Sequence, residues 1–314
     1  MEKLIFVRKG LVHRVDKNFP WMYSHTQVPF GFPLDKEIVR IYFSTRDKMN
    51  RSVVTFIECR GDDPKEVTYI HNKIVLGLGK LGMHDESGAM PSCVVKREDE
   101  IYMYYTGWNI GGDVSYRTSI GLAISRDNGI TFQRFSDGPI LDRSIYDPCF
   151  SCQPFVLKIG SKWNMWYLSS TRWELHDNYP EPYYHVKYAV SDDGIHWERS
   201  GKVSLDYSDE IDAVGNPTIL LEDEIYKMFY SYRKGYGYRT DPSKAYRIGY
   251  AESKDGMTFI PKNEILEIIG EREEWESIAN AYPHVYNFND RKYMLYNGNG
   301  FGKSGFGYAV LEKA

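Results

Sequence analysis

Cysteine is scarce in this chain. Cys59, Cys93, Cys149 and Cys152 are four thiols in 314 residues, too few to staple a protein of this length. They read as reduced side chains, and the expected compartment is the cytoplasm. Long hydrophobic runs are missing as well: none approaches the roughly 20 residues that a membrane-spanning helix needs. Residues 1–9 hold too short an apolar stretch for a secretory signal, and no small-residue cleavage site follows. Nor does charge of one sign accumulate. With 39 basic and 43 acidic side chains the net charge is −4, and no basic run or face marks a nucleic-acid or membrane partner. Glycine-rich nucleotide cradles are absent too. Gly298-Asn299-Gly300-Phe301-Gly302 stands among strand patterns, not between a strand and a helix.

Against these absences stands a surplus of aromatic residues, 15% of the chain, led by 26 tyrosines. Aromatic side chains favour strands and also wall sugar sites. Their placement is periodic. Pro29, Pro91, Pro154, Pro217 and Pro283 are spaced by 62, 63, 63 and 66 residues. Eleven or twelve residues after each comes an apolar–aromatic triplet. The triplets are Ile41-Tyr42-Phe43, Met103-Tyr104-Tyr105, Met165-Trp166-Tyr167, Met228-Phe229-Tyr230 and Met294-Leu295-Tyr296. A third register follows in four units, as Gly121-Leu122-Ala123, Lys187-Tyr188-Ala189, Gly249-Tyr250-Ala251 and Gly307-Tyr308-Ala309. Three registers recurring together make a five-fold repeat.

Each unit reads as strands. Short apolar runs such as Pro91-Ser92-Cys93-Val94-Val95 and Pro217-Thr218-Ile219-Leu220-Leu221 suit inner strands buried on both faces. The triplet supplies a second strand and the Gly-x-Ala register a third. Turns at residues 125–132, 191–197 and 253–259 lead to a fourth, with Asn-Gly or Asp-Gly where φ must be positive. The first of them has the form of the sialidase Asp box and is read as a turn. The expected fold is therefore all-β: a five-bladed β-propeller with four-stranded blades, one domain over residues 1–314. The strand near residues 4–7 is expected to complete the last blade and close the ring.

Antiparallel order brings the segments before each proline and after each triplet to one end of a central channel. Ahead of the prolines stand His25, His84-Asp85-Glu86, Asp147, Asp209-Glu210-Ile211-Asp212 and Glu276. Asp147, Glu210 and Glu276 lie seven residues before their prolines, and Asp85 six. After the second strands come Arg46, Trp108, Arg172-Trp173, Arg233 and Asn299. Aromatic faces stack on sugar rings, while carboxylates and guanidinium forks bind hydroxyls or anions. The same acids could instead cap turns or pair with arginines, and Arg46, Arg172 and Arg233 stand at equivalent places in three units. Trp108 and Trp173 suit packing as well as stacking. His25, His84 and His284 all fall near strand starts, but no metal site is expected, nor a redox role for Cys149-x-x-Cys152.

The repeat, its Asp-Gly-x-x-Trp/Phe turns and its blade-start acids resemble the five-bladed propeller glycosidases of glycoside hydrolase families 43, 32, 68 and 130, over essentially the whole chain. The resemblance implies three carboxylates: one opening blade one, an Asp beside a proline, and a Glu acid from a later blade. Tyr146-Asp147-Pro148 matches the second, and Glu210, with Asp212 as its alternative, the third. Phe19-Pro20-Trp21-Met22 begins like a family-32 start, yet Tyr23-Ser24-His25 follows where the first Asp belongs.

That departure bears on mechanism, because glycoside cleavage needs a proton donor and a second group opposite it. A family-130-like phosphorylase would let phosphate attack instead, held by Arg46, Arg172, Arg233 and His25. The expected function is cleavage of a glycosidic bond by hydrolysis or phosphorolysis. Glu210 or Asp212 would be the general acid, and Asp147 or Asp85 would orient the sugar or act as second carboxylate. Glu86, Trp108, Trp173, Glu276 and Asn299 would join the substrate contacts. The partner would be an oligosaccharide or an anionic sugar, with inorganic phosphate as a co-substrate at most and no other cofactor. The rival is a non-catalytic sugar-binding propeller that has lost its blade-one acid.

Overall fold

The computed structural model describes residues 3–15, 17, 19–208 and 211–312. Within them the chain forms five successive antiparallel meanders. Unit one comprises Ser24–Pro33, Ile38–Arg46, Ser52–Arg60 and Val67–Ile70. Unit two comprises Gly88–Arg97, Glu100–Ile110, Tyr116–Ser125 and Gln133–Arg134. Unit three comprises Phe150–Ile159, Lys162–His176, Tyr179–Ser191 and Glu198–Leu205. Unit four comprises Ala213–Glu222, Ile225–Arg233, Arg247–Ser253 and Ile260–Pro261. Unit five comprises Ala281–Phe288, Arg291–Asn297 and Phe306–Leu311. Its fourth strand, Leu4–His13, comes from the other end of the chain and pairs antiparallel with Phe306–Leu311, and Leu266–Ile269 adds parallel to its outer edge.

First strands sit innermost. Each contacts the first strand of the next unit, and Ala281–Phe288 contacts Ser24–Pro33. Proline sets their shape. It has no N–H for the ladder, and at every repeat proline the pairing with the second strand shifts register, a bulge that bends the strand. The residue just before the proline takes a positive φ in four units, at Val28, Gln153, Asn216 and Tyr282. Neighbouring units satisfy three of the displaced amides: Asn297 Oδ1 accepts from Val28, Thr106 Oγ1 from Gln153 and Ser231 Oγ from Tyr282, at 2.8, 2.8 and 2.7 Å.

The tyrosine surplus has two architectural uses. The middle triplet residue reaches the Asp-Gly turn of the following unit. Tyr42 Oη, Tyr104 Oη and Trp166 Nε1 donate to the carbonyls of Gly129, Gly194 and Gly256 at 2.7, 2.8 and 2.7 Å. The last triplet residue stays within its own unit and lies across the third strand. There a Cβ at Gly121 or Gly249 would overlap the ring of Tyr105 or Tyr230, which explains the glycine at those two places of the third register. The first triplet residue belongs to the core: Met103, Met165, Met228 and Met294 are fully buried, each a gain of about 1.5–3 kcal/mol. Among the described residues no helix is long and apolar enough to cross a membrane, and all four cysteines are free thiols.

Candidate active site at the mouth of the inner strands

Three of the blade-start acids share one arrangement. Asp85, Asp147 and Glu276 have no solvent exposure. Each accepts from the last tyrosine of its unit's triplet: Tyr105 at 3.0 Å, Tyr167 at 3.2 Å and Tyr296 at 3.0 Å. An arginine on the fourth strand of the unit closes on each, Arg134 at 2.8 Å, Arg199 at 2.9 Å and Arg8 at 3.1 Å. Ser169 and Ser144 add hydroxyls to Asp147, and Asn280 an amide to Glu276. The clasping groups come from second and outer strands and the adjoining loops, never from a first strand. In unit four, Tyr230 donates to Asn263 instead, at 2.9 Å, and Glu210 lies outside the described residues. Unit one has Phe43 at that place, without a hydroxyl, and no acid.

The remaining residues named from sequence fall into two groups. Several serve local structure. Asn299 accepts the amides of Ile278 and Ala279 and donates to Glu274 O and Ser277 Oγ. Glu86 accepts the Gly82 amide at 2.6 Å. Trp108 packs its indole against Gly88. Arg172 is not equivalent to Arg46 and Arg233. Ser170 stands at their register, opposite the start of the first strand, and Arg172 lies past a bulge on a long hairpin, where it pairs with Glu174 at 2.6 Å. The three histidines do not converge. His84 bonds Ser119, His284 stacks on Phe30 at 3.7 Å, and His25 stands apart from both beside Ser24.

The second group builds a mouth to which all five units contribute. Trp173 of unit three packs on Phe150 and on Tyr116 of unit two, with centroids 5.6 and 5.3 Å apart. Tyr184 of unit three shares a hydroxyl hydrogen bond with Tyr246 of unit four. Tyr246 meets Tyr282 of unit five at 5.5 Å, and Tyr282 meets Phe301 at 4.8 Å. Arg46 of unit one lies 5.8 Å over Phe301. Burial, then Tyr238 and Tyr246, push the Tyr116 phenol well up, so these phenols stay neutral donors.

Two charges mark the edge of this mouth. Arg233 is buried in a tyrosine cage, 3.9 Å from the Tyr238 ring. Its nitrogens donate to Tyr184 and Tyr246 hydroxyls and to the carbonyls of Lys234, Gly235 and Pro182. Asp212 is half-buried, and its Oδ2 accepts the Gly235 amide at 2.5 Å. Sequence reading missed Tyr282, although it occupies the pre-proline place of the repeat. It also missed Glu181, buried beneath Arg239 with Oε2 unpartnered.

The class of fold is clear from solved structures. A glycosyl hydrolase from Bacteroides ovatus superposes with a TM-score of 0.75 at 17% identity, covering 99% of this chain and 96% of that one. A thermostable family-43 glycoside hydrolase gives 0.62 at 16% identity, over 94% and 90%. The architecture is that of the β-propeller glycoside hydrolases. Closer in sequence is the uncharacterized protein Rv1502 of Mycobacterium tuberculosis, 33% identical over 307 residues, 96% of this chain and 98% of its own. The chain belongs to the same family as that mycobacterial protein. No family model matches it.

Proposed function

We propose that the chain is a closed five-bladed propeller acting on carbohydrate, and that it cleaves a glycosidic bond at the mouth. One observation carries this reading: aromatic side chains of units two to five meet there as a wall, joined by Arg46 of unit one, with the Asp212 carboxylate at its edge. Aromatic faces suit the C–H faces of sugar rings. The loop of residues 206–212 would supply the general acid, Glu210 or Asp212, protonating the glycosidic oxygen as its bond to the anomeric carbon breaks. Water or inorganic phosphate would complete the exchange by bonding to that carbon. Asp85, Asp147 and Glu276 support the reading in a different capacity from that expected: clasped by arginine and tyrosine, they hold the blades that shape the mouth. Free thiols favour a reducing compartment, the cytoplasm.

A non-catalytic sugar-binding propeller is the second reading. It draws on unit one, which offers His25 where an acid would stand. Product analysis on an oligosaccharide panel, with and without inorganic phosphate, separates the two. Free sugar means a hydrolase, a sugar 1-phosphate made only with phosphate means a phosphorylase, and binding without products means the second reading.

A further inference from the structure

Where unit five meets unit one, His25 (φ 65°) and Phe301 (φ 59°) hold left-handed backbone beside the pre-proline bulge residues Val28 and Tyr282, whose positive φ recurs at Gln153 and Asn216. Such conformations are strained and persist where surrounding contacts over-determine them, as at ligand clamps. Here the contacts are plain. Asn297 accepts the Val28 amide at 2.8 Å and donates to Thr26 O at 2.6 Å, and Thr26 Oγ1 donates to Gly302 O at 3.4 Å. The segment 298–305 is thereby laid on the first strand of unit one. It brings Phe301 under Arg46 and Lys303 towards His25.

The corner is basic and uncompensated. Arg46 donates to Asn50 at 2.7 Å and, with the Gln27 amide in its bonded orientation, to that side chain. Asp47, next to it in sequence, is taken by Arg51 at 2.8 Å. Among the described residues no carboxylate lies within ion-pair distance of Arg46 or Lys303. Arg233 differs: main-chain carbonyls and phenols already occupy its nitrogens, so it is not the free cation of the mouth.

We propose that this corner is a subsite for an anionic group carried on the sugar, a carboxylate or a phosphate, with Arg46 and Lys303 as its counter-charges and Tyr282 and Phe301 as the platform beneath the ring. The proposal rests on the carbohydrate reading and narrows it to acidic saccharides. A guanidinium fork fits either anion, and a hydrogen bond to an ionised group is about twice as strong as a neutral one. His25 reports on the site. Burial, then the charges of Arg46 and Lys303, lower its pKa to about 4, so a bound anion must raise it.

The test is calorimetric titration with a neutral hexose, the matching hexuronic acid, the hexose 6-phosphate and inorganic phosphate, while the His25 imidazole is followed by NMR. The expected result is at least about tenfold tighter binding of one acidic sugar than of the neutral one, with an upward shift of the His25 midpoint. Whether the uronic acid or the phosphate ester gains decides the source of the charge. Arg46→Gln should abolish the preference. Lys303→Ala, at an exposed position, should weaken it even if the Arg46 variant fails to fold. Equal binding of acidic and neutral sugars overturns the subsite and leaves the carbohydrate reading standing. Binding of inorganic phosphate at His25, lost in the variants, with no saccharide bound, upholds the anion corner and removes the carbohydrate reading.

Discussion

Arg199, on the fourth strand of unit three, places Nη1 2.9 Å from Oδ2 of Asp147. The carboxylate it meets is wholly buried, and Arg134 on Asp85 and Arg8 on Glu276 repeat the relationship. A buried ion pair contributes little over a well-packed apolar pair, but removing one partner strands the other charge.

Asp147→Ala is therefore expected to destabilise the fold by about 3–5 kcal/mol, and Arg134→Met to act similarly through Asp85. Denaturant unfolding of the two variants checks this. Loss of ligand turnover with unfolding unchanged would instead place Asp147 among the groups that touch substrate.

The stitches between units make a second expectation. Tyr104 Oη donates to Gly194 O and Tyr42 Oη to Gly129 O, and both carbonyls are buried against the ring that reaches them. Tyr104→Phe and Tyr42→Phe should each cost about 1–3 kcal/mol, because each leaves a buried acceptor unmet. The sites lie in different unit junctions, so the double variant should be near the sum of the singles. Thermal melts that match the parent for both singles would contradict the stitching.

Acid stability follows from the turns. Asp127, Asp193 and Asp255 have carboxyl pKa values below the ordinary 3.8. At Asp127 and Asp193 slight burial pulls upward, but amides and hydroxyls of the turn, with His196 at Asp193, outweigh it. At Asp255 the Thr258 amide is the largest cause, followed by the Ser253 hydroxyl. Folded values lie below unfolded ones, so the stabilisation is complete above about pH 4 and is lost as pH falls through the folded values. Asp255→Asn should flatten part of that acid limb while changing stability at pH 7 only through lost hydrogen bonding. A limb identical to the parent would contradict the assignment.

Most of this architecture was legible in the chain because a repeat prints each structural device several times. The prolines, triplets and Gly-x-Ala registers mark the bulge, the stitch and the ring-over-glycine packing. The ion pairs of the acids were hidden for a physical reason: their partners lie on outer strands, 49 residues away for Asp85 and Arg134, 52 for Asp147 and Arg199, and 268 for Arg8 and Glu276. Spacing along the chain shows nothing of such pairs. The place of Arg172 was readable by counting, since it stands five residues after Tyr167 whereas Arg46 and Arg233 stand three after Phe43 and Tyr230. Tyr282 was readable from its place before Pro283 and was passed over, because a buried pre-proline aromatic reads as core and its contacts with Tyr246 and Phe301 come from distant loops.

The most direct test of the central claim is turnover of an oligosaccharide by the parent, Glu210→Gln and Asp212→Asn, each assayed with and without inorganic phosphate. If the mouth cleaves glycosides, the parent forms product, and at least one variant loses about 10²-fold or more in kcat while still binding the saccharide. Product formed equally by all three proteins would remove the acid from this loop, and a saccharide that binds without contacting the mouth would contradict the account itself.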